Sequence, residues 1–151
     1  MIERLCATYA DQMAHVHAGA FERPWSAEDF AIHTGNVTDD VLGWVEEGCV
    51  LGFIILRTLG DQAEIVTIAV VQDQQRRGIG AYLLRVAEEQ MAMRGADIVF
   101  LEVAKDTPAA IRLYQRTGYQ GCGTRPGYYR RAKGRVDALL FSKKLGQKIS
   151  D

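Results

Sequence analysis

The stretch VQDQQRRGIGAYLLRVAEEQ, Val71–Gln90, joins an apolar run to an amphipathic one through a short polar loop. From Gly80 to Arg94 the apolar residues Leu83, Leu84, Ala87 and Met91 return at helical spacing, with Arg85, Glu88 and Glu89 on the wet side. The loop therefore opens a helix, whose first backbone N–H groups lack partners within it and attract anions. Gly78 and Gly80 let the backbone approach a ligand closely, and Arg76 and Arg77 add positive charge beside it. A pyrophosphate fits this arrangement. So does a plain strand-to-helix turn with exposed arginines, and the loop alone does not separate the two.

Two familiar nucleotide loops are excluded. The P-loop requires a lysine and a hydroxyl after its last glycine, and neither is present. The dinucleotide fingerprint requires a third glycine where Leu83 stands.

Working outward, DDVLGWVEE, CVLGFIILRTLG and AEIVTIAVV read as three consecutive strands of a meander, turning at Glu46–Cys49 and Leu59–Gln62. The apolar end of the third, IAVV, implies a strand covered on both faces. Upstream, a short strand over about Met1–Ala7 precedes a helix from about Tyr9 to Phe21 with Thr8 as its cap. A second helix is capped by Ser26 with Asp29 and stopped by Gly35. Downstream come the stop Gly95, the strand DIVFLEVA, and a helix with Thr107 at its N-cap, Pro108 at its first position and Gly118 at its end. Two strands close the chain, about Gln120–Thr124 and Val136–Lys144, separated by a basic loop containing glycine and tyrosine. The order predicts one α/β domain spanning residues 1–151 around a single sheet.

Composition narrows the classes. No apolar run approaches the roughly 20 residues of a membrane helix, and the N-terminus lacks a secretory pattern, so a cytoplasmic protein is expected. Cys6, Cys49 and Cys122 are odd in number and far apart, which supports neither disulfides nor zinc; buried or half-buried thiols are expected. His15 and His17 point to different sides of a helix and His33 has no evident partner, so all three read as surface or packing residues and no metal is expected. Residues 1–64 hold 11 acids and 3 bases, and residues 65–151 hold 8 acids and 15 bases. The asymmetry suits a polyanionic ligand on the second half and a basic partner on the first, or two solvated faces.

QRRGIG, Gln75–Gly80, matches the [QR]xxGx[GA] loop of the GNAT superfamily of N-acetyltransferases, and the flanking IAV, LEVA and AAIRLYQRTGY segments follow in that family's order. FERPWS, LEV, RPGYYR and VDALLFSKKL further resemble its RimI-type branch, the bacterial ribosomal-protein alanine N-acetyltransferases. The resemblance covers nearly the whole chain. It implies a mixed, mostly antiparallel sheet of about seven strands flanked by about four helices. That sheet would be splayed between the strand ending at Val70 and the strand carrying Glu102. It also implies acetyl-CoA as co-substrate. The backbone of Ile68, Ala69 and Val70 would hold the pantetheine arm, and Arg76, Arg77, Gly78, Ile79, Gly80 and Ala81 the pyrophosphate. Thr107 stands where the family usually carries a cofactor-contacting asparagine.

Acetyl transfer to an amine requires a base for the amine, a donor for the oxyanion and an acid for the departing thiolate. Glu102 interrupts an apolar strand, where a carboxylate is costly unless it lines a cleft or meets an arginine. In a cleft, desolvation would raise its pKa. The resemblance makes it the proton acceptor. Tyr114 shares a helix face with Ile111 and Gly118, as a packing aromatic would; the resemblance makes it the proton donor. The Val70 N–H is the expected oxyanion donor. Pro24 and Trp25, with Tyr128 and Tyr129, either flank a peptide groove or anchor their two loops. Arg125, Arg130, Arg131, Lys133 and Arg135 form an acid-free cluster read as a solvated hairpin. The expected acceptor is a protein or peptide N-terminus, foremost the N-terminal alanine of a ribosomal protein. The chain is expected to be a monomer or weak dimer, with no membrane or specific nucleic-acid partner. Small amines as acceptors, a non-catalytic acyl-CoA-binding module and RNA binding are the alternatives.

Overall fold

The computed structural model describes residues 1–146. Its elements run β1 (Ile2–Arg4), α1 (Ala10–Ala20), α2 (Ala27–Gly35), β2 (Asp39–Glu46), β3 (Cys49–Leu59), β4 (Gln62–Val70), α3 (Ile79–Met93), β5 (Ile98–Ala104), α4 (Pro108–Arg116), β6 (Gln120–Arg131) and β7 (Gly134–Lys144). Short 3-10 segments at Ala7–Tyr9 and Gln72–Arg77 precede α1 and α3. The strands form one seven-stranded sheet in the order β1-β2-β3-β4-β5-β7-β6. Every neighbouring pair is antiparallel except β4–β5. A parallel pair needs a crossover, and α3 supplies it.

Local chemistry explains several boundaries. Ser26 and Asp29 cap α2 reciprocally, the serine hydroxyl accepting from the Asp29 N–H and the carboxylate from the Ser26 N–H. Glu47 (φ 50°) and Gly48 (φ 77°) provide the two left-handed positions of a two-residue hairpin between β2 and β3. Apolar alternation then divides the core. Ile54, Leu56, Ile65, Leu101 and Val103 pack against α3 and Tyr114 of α4 on one face. Phe53, Ile55 and Ala69 pack against Met13, Val16 and Phe30 of α1 and α2 on the other.

The sheet opens between β4 and β5. These strands pair only at Gln62–Ile98, Ala63–Val99 and Glu64–Phe100. Directly beyond, Ile55 faces Thr67 while Leu56 faces Ile65, so Val66 is an extra residue that bulges β4. From there the two strands run on without pairing. The Val71 N–H donates to Leu51 O at 2.8 Å, across β3. Alternation along the strand therefore turns the peptide groups of Val70 and Ile68 away from β3, into the gap.

Several expectations need correction. Thr8 does not cap α1: it lies within the 3-10 turn, its hydroxyl 3.0 Å from Cys6 Sγ. The basic segment between the last two strands is not a loop. β6 continues to Arg131, carrying extra residues around Pro126–Tyr128, because Gly127 adopts φ 61° and its N–H donates to Asp137 Oδ1 at 2.8 Å. All three cysteines are exposed, since they occupy a post-strand turn, a hairpin corner and the irregular edge strand β6.

Candidate functional site

The loop after β4 presents its backbone. Gly78 is left-handed (φ 77°), and a side chain there would project into open space. No side chain caps α3, and its first helical bond is Tyr82 N–H to Gly78 O at 3.1 Å, which leaves the amides of Ile79, Gly80 and Ala81 without helical acceptors. Gly80 packs closely: a Cβ there would lie 3.3 Å from Leu113. The Gln75 side chain donates to Val70 O at 3.3 Å, joining the loop to the open strand.

The two arginines differ. Arg76 is exposed and makes no ion pair among the described residues. The Arg77 guanidinium instead pairs with Glu46 of β2 at 2.9 Å and donates to Gln74 Oε1 at 2.9 Å, beside the Trp44 ring. The Arg77 side chain therefore ties the loop to the sheet. This tie was not legible in the sequence. Thr107 stands at the N-cap of α4, but its hydroxyl donates back to Ala104 O at 2.6 Å rather than capping the helix.

Across the gap, Glu102 of β5 lies on the sheet face opposite Leu101 and Val103, with its side chain 29% exposed. Arg125 of β6 lies 3.0 Å from its Oε1. The carboxylate therefore meets an arginine, as the structural alternative has it, while bordering an open face. Tyr129, also on β6, connects the two chemical candidates. Burial, then the nearby Glu102 charge, push its phenol up to about 12. Tyr114 is 5% exposed, and burial first and Tyr129 second hold its phenol well above the ordinary value. The Tyr114 ring packs edge-on against Tyr119. Its hydroxyl makes no hydrogen bond within the described residues.

The segment before Pro24 meets the β6–β7 hairpin. Arg131 pairs with Asp106 at 3.0 Å and reaches Glu22, beside Pro24, at 3.9 Å. Tyr128 and Tyr129 pack edge-to-face with centroids 5.1 Å apart, Arg125 stacking on the first and Arg131 on the second. The basic cluster is accordingly only partly solvated. Trp25 is anchored: its ring stacks on His17 and His33, and its backbone N–H donates to His17 Nδ1 at 3.1 Å. It also walls a shallow depression with Asp29, Ile32 and His33.

Two histidines prove more than ordinary packing residues. His17 is 2% exposed, and burial lowers its pKa to about 4. Accepting from Trp25 at Nδ1, the neutral ring donates from Nε2 to Thr67 Oγ1 at 3.2 Å, joining α1, the Trp25 loop and β4. His33, which lacked an evident partner, bonds Asp39 at 2.8 Å. Its partner is six residues away across a helix-to-strand turn, which helical periodicity does not reveal. Among the described residues, no group of three or more His, Cys, Asp or Glu side chains is placed to hold a metal ion.

Chemically, the gap presents free amides that suit an extended chain and a helix N-terminus that suits an anion, with a carboxylate on the stretch of β5 that β4 leaves unpaired. A model of the acetyltransferase (GNAT) family matches residues 10–119. Over 130 residues the chain is 32% identical to the ribosomal protein bS18-alanine N-acetyltransferase of Escherichia coli strain K12, covering 85% of this chain and 86% of that protein. Over 127 residues it is 32% identical to the N-alpha-acetyltransferase RimI of Mycobacterium tuberculosis, covering 80% and 78%. The crystal structure of the ribosomal-protein-S18-alanine N-acetyltransferase from Escherichia coli superposes with a TM-score of 0.89 at 30% identity, covering 98% of this chain and 95% of that one. Arabidopsis thaliana NAA60, solved in complex with acetyl-CoA, superposes with a TM-score of 0.85 at 17% identity over 96% and 98% of the two chains, a likeness of fold alone.

Proposed function

This chain belongs to the GNAT family of acetyltransferases, and on that premise we propose that it transfers the acetyl group of acetyl-CoA to a protein N-terminal α-amine, foremost the N-terminal alanine of a ribosomal protein. The observation that carries the reading is the opening between β4 and β5, with the amides of Ile68 and Val70 turned into it, the uncapped N-terminus of α3 after β4 and Glu102 on the stretch of β5 that β4 leaves unpaired. The names of the relatives support the acceptor class. Acetyl-CoA supplies the thioester as acyl donor, and the residues present fit it. Ile68 and Val70 would hold its pantetheine arm as an added strand. Gly78, Ile79, Gly80 and Ala81, helped by Arg76, would hold its pyrophosphate at the helix N-terminus. The Thr107 hydroxyl, its proton given to Ala104 O, retains lone pairs with which it would accept from the co-substrate.

In the reaction Glu102 takes a proton from the acceptor amine. An α-amine has an unperturbed pKa of about 7.7–8.0, against about 10.4 for lysine, so one carboxylate suffices near neutral pH. The Val70 N–H, turned into the gap, meets the negative charge that develops on the acyl oxygen. Tyr114, kept protonated by burial, gives a proton to the departing sulfur. The amine attacks directly, and no cysteine is required as an acyl carrier. Tyr128 and Tyr129 border the acceptor groove. Pro24 and Trp25 shape its other wall, with Trp25 held from behind by His17 and His33.

The test is turnover followed by mass spectrometry. An alanine-starting peptide with the basic character of a ribosomal protein is incubated with acetyl-CoA and the chain, beside polyamines and free amino acids. Acetylation of the peptide α-amine is expected to dominate. Preferential acetylation of a free amine would replace the acceptor assignment, and CoA binding with no transfer to any amine would leave only a binding module.

A further inference from the structure

We propose that Arg131 is a positioning residue for the acceptor: it ties the segment before Pro24 and Trp25, and the turn between β5 and α4, to the β6–β7 hairpin, and so sets the width of the groove that receives the peptide. This rests on the reading of the chain as an acetyltransferase with a peptide acceptor. Three separate stretches of chain meet at this one side chain. Its guanidinium donates in parallel to Asp106, from Nε to Oδ2 at 3.0 Å and from Nη2 to Oδ1 at 3.1 Å. Asp106 lies in the β5–α4 turn, directly before Thr107. Arg131 Nε also stands 3.9 Å from the Glu22 carboxylate, in the segment between α1 and α2 that carries Pro24 and Trp25. The guanidinium carbon lies 5.4 Å from the centre of the Tyr129 ring.

The hairpin places the arginine there. Tyr129 faces Val136, Arg130 faces Arg135 and Arg131 faces Gly134, so Tyr129 and Arg131 stand on one side of β6 and Arg130 on the other. Exposure follows the alternation: Tyr129 and Arg131 are half-buried, whereas Tyr128 and Arg130 are exposed. Among the described residues, the Glu22 contact is the one ion pair between the α1–α2 segment and the hairpin. The paired bonds to Asp106 fix the direction of the guanidinium as well as its distance, which a lysine's point charge would not do. Arg131 is 22% exposed, against 43% for Asp106 and 47% for Glu22. Ion pairs this open to water contribute little to the stability of a fold. What the tie sets is therefore local, the separation of the two walls of the groove.

The experiment is steady-state kinetics on an alanine-starting peptide, with urea unfolding beside it. It compares the native chain with Arg131→Gln, Arg131→Lys, Glu22→Gln and the double variant Arg131→Gln with Glu22→Gln. In Arg131→Gln the peptide KM is expected to rise about fivefold, the upper scale of a partly solvated ion pair, with kcat, the acetyl-CoA KM and the urea midpoint near native. Arg131→Lys, which keeps the charge and loses the fork, should recover part of the change. Glu22→Gln should raise the peptide KM less, its contact being longer, and should add nothing once Arg131 is replaced. A peptide KM unmoved in Arg131→Gln would overturn the proposal. So would additive effects in the double variant, which would make Glu22 a contact of the peptide itself. An equal rise in both KM values with a lowered urea midpoint, or an Arg131→Gln chain that does not fold, would overturn it by making Arg131 a structural residue. Failure of the native chain to acetylate the peptide would overturn the acceptor reading first, and this proposal with it.

Discussion

The two halves of the sheet handle the same chemical pair, a carboxylate and an arginine, in opposite ways. In the covered half, β1–β4 are packed by α1 and α2 on one face and chiefly by α3 on the other. There Asp40 is fully buried between Arg4 at 2.7 Å and Arg94, whose Nη2 donates at 2.8 Å and whose Nε makes a charge contact at 2.6 Å. Beside it, Asp39 is gripped by Arg57 and His33; burial would raise its pKa, but the Arg57 and His33 bonds bring it below the ordinary value. In the other half, β5, β7 and β6 keep one face against α3 and α4 and carry Phe100, Glu102, Leu140 and Arg125 on the open one. Glu102 there is 29% exposed and its arginine more so. A buried carboxylate fixes structure, because removing its arginines strands a charge away from water. A pair on an open face is weak enough to rearrange, and so can take part in chemistry.

The largest break in this comparison comes from the covered half. Arg4→Ala combined with Arg94→Ala leaves the fully buried Asp40 carboxylate without its cations and is expected to lose on the order of 3 kcal/mol of stability, read as a lower urea midpoint. Arg125→Gln, on the open face, should shift that midpoint little. A comparable loss from both variants would dissolve the contrast.

Acid provides the next test. His17 is neutral when buried, with its pKa lowered by desolvation to about 4 against 6.5 when exposed. Between those values the unfolded chain binds the extra proton, so stability falls as pH drops from about 6.5 to about 4, by up to about 3 kcal/mol. Above pH 6.5 the contribution is flat. Urea unfolding at pH 7, 6 and 5 should show the fall, and His17→Gln should start lower at pH 7 but change less across the window. An equally steep fall in His17→Gln would assign the acid sensitivity to another group.

Much of this contrast could be read from sequence, and the part that could not has a physical reason. Local signals placed the helices and strands: the Ser26–Asp29 cap, the Glu46–Cys49 hairpin, the helical repeat after Gly80 and the apolar strand holding Glu102. The order of those elements, with the QRRGIG loop, was sufficient to indicate the family and the split sheet. Pairings across strands escaped. Which arginine meets Glu102 depends on the β6–β7 register, which extra residues near Gly127 displace in a way that alternation cannot foresee. The ion pair of Arg77 escaped too, because its partner, Glu46, lies 31 residues earlier. His17 resembled a packing histidine because its bonds to Trp25 and Thr67 exist only once α1 lies across β4. Cysteine burial failed for the converse reason: a general preference for the interior yields to a turn or an edge strand.

A smaller effect sharpens the open half. Tyr114→Phe preserves the ring contacts with Tyr119 and Phe141 and removes only the hydroxyl. Stability should stay within about 1 kcal/mol, while kcat falls at least roughly tenfold, equivalent to about 1.4 kcal/mol of transition-state stabilisation. An unchanged kcat would return Tyr114 to packing alone.

The most direct test of the central claim, that the open face beside the β4–β5 gap performs acetyl transfer, is the kcat of Glu102→Gln on an alanine-starting peptide at saturating acetyl-CoA. Loss of a general base is expected to lower kcat by on the order of 10²-fold or more, with the fold and acetyl-CoA binding retained. A Glu102→Gln protein that folds, binds acetyl-CoA and turns over at the native rate would contradict the account.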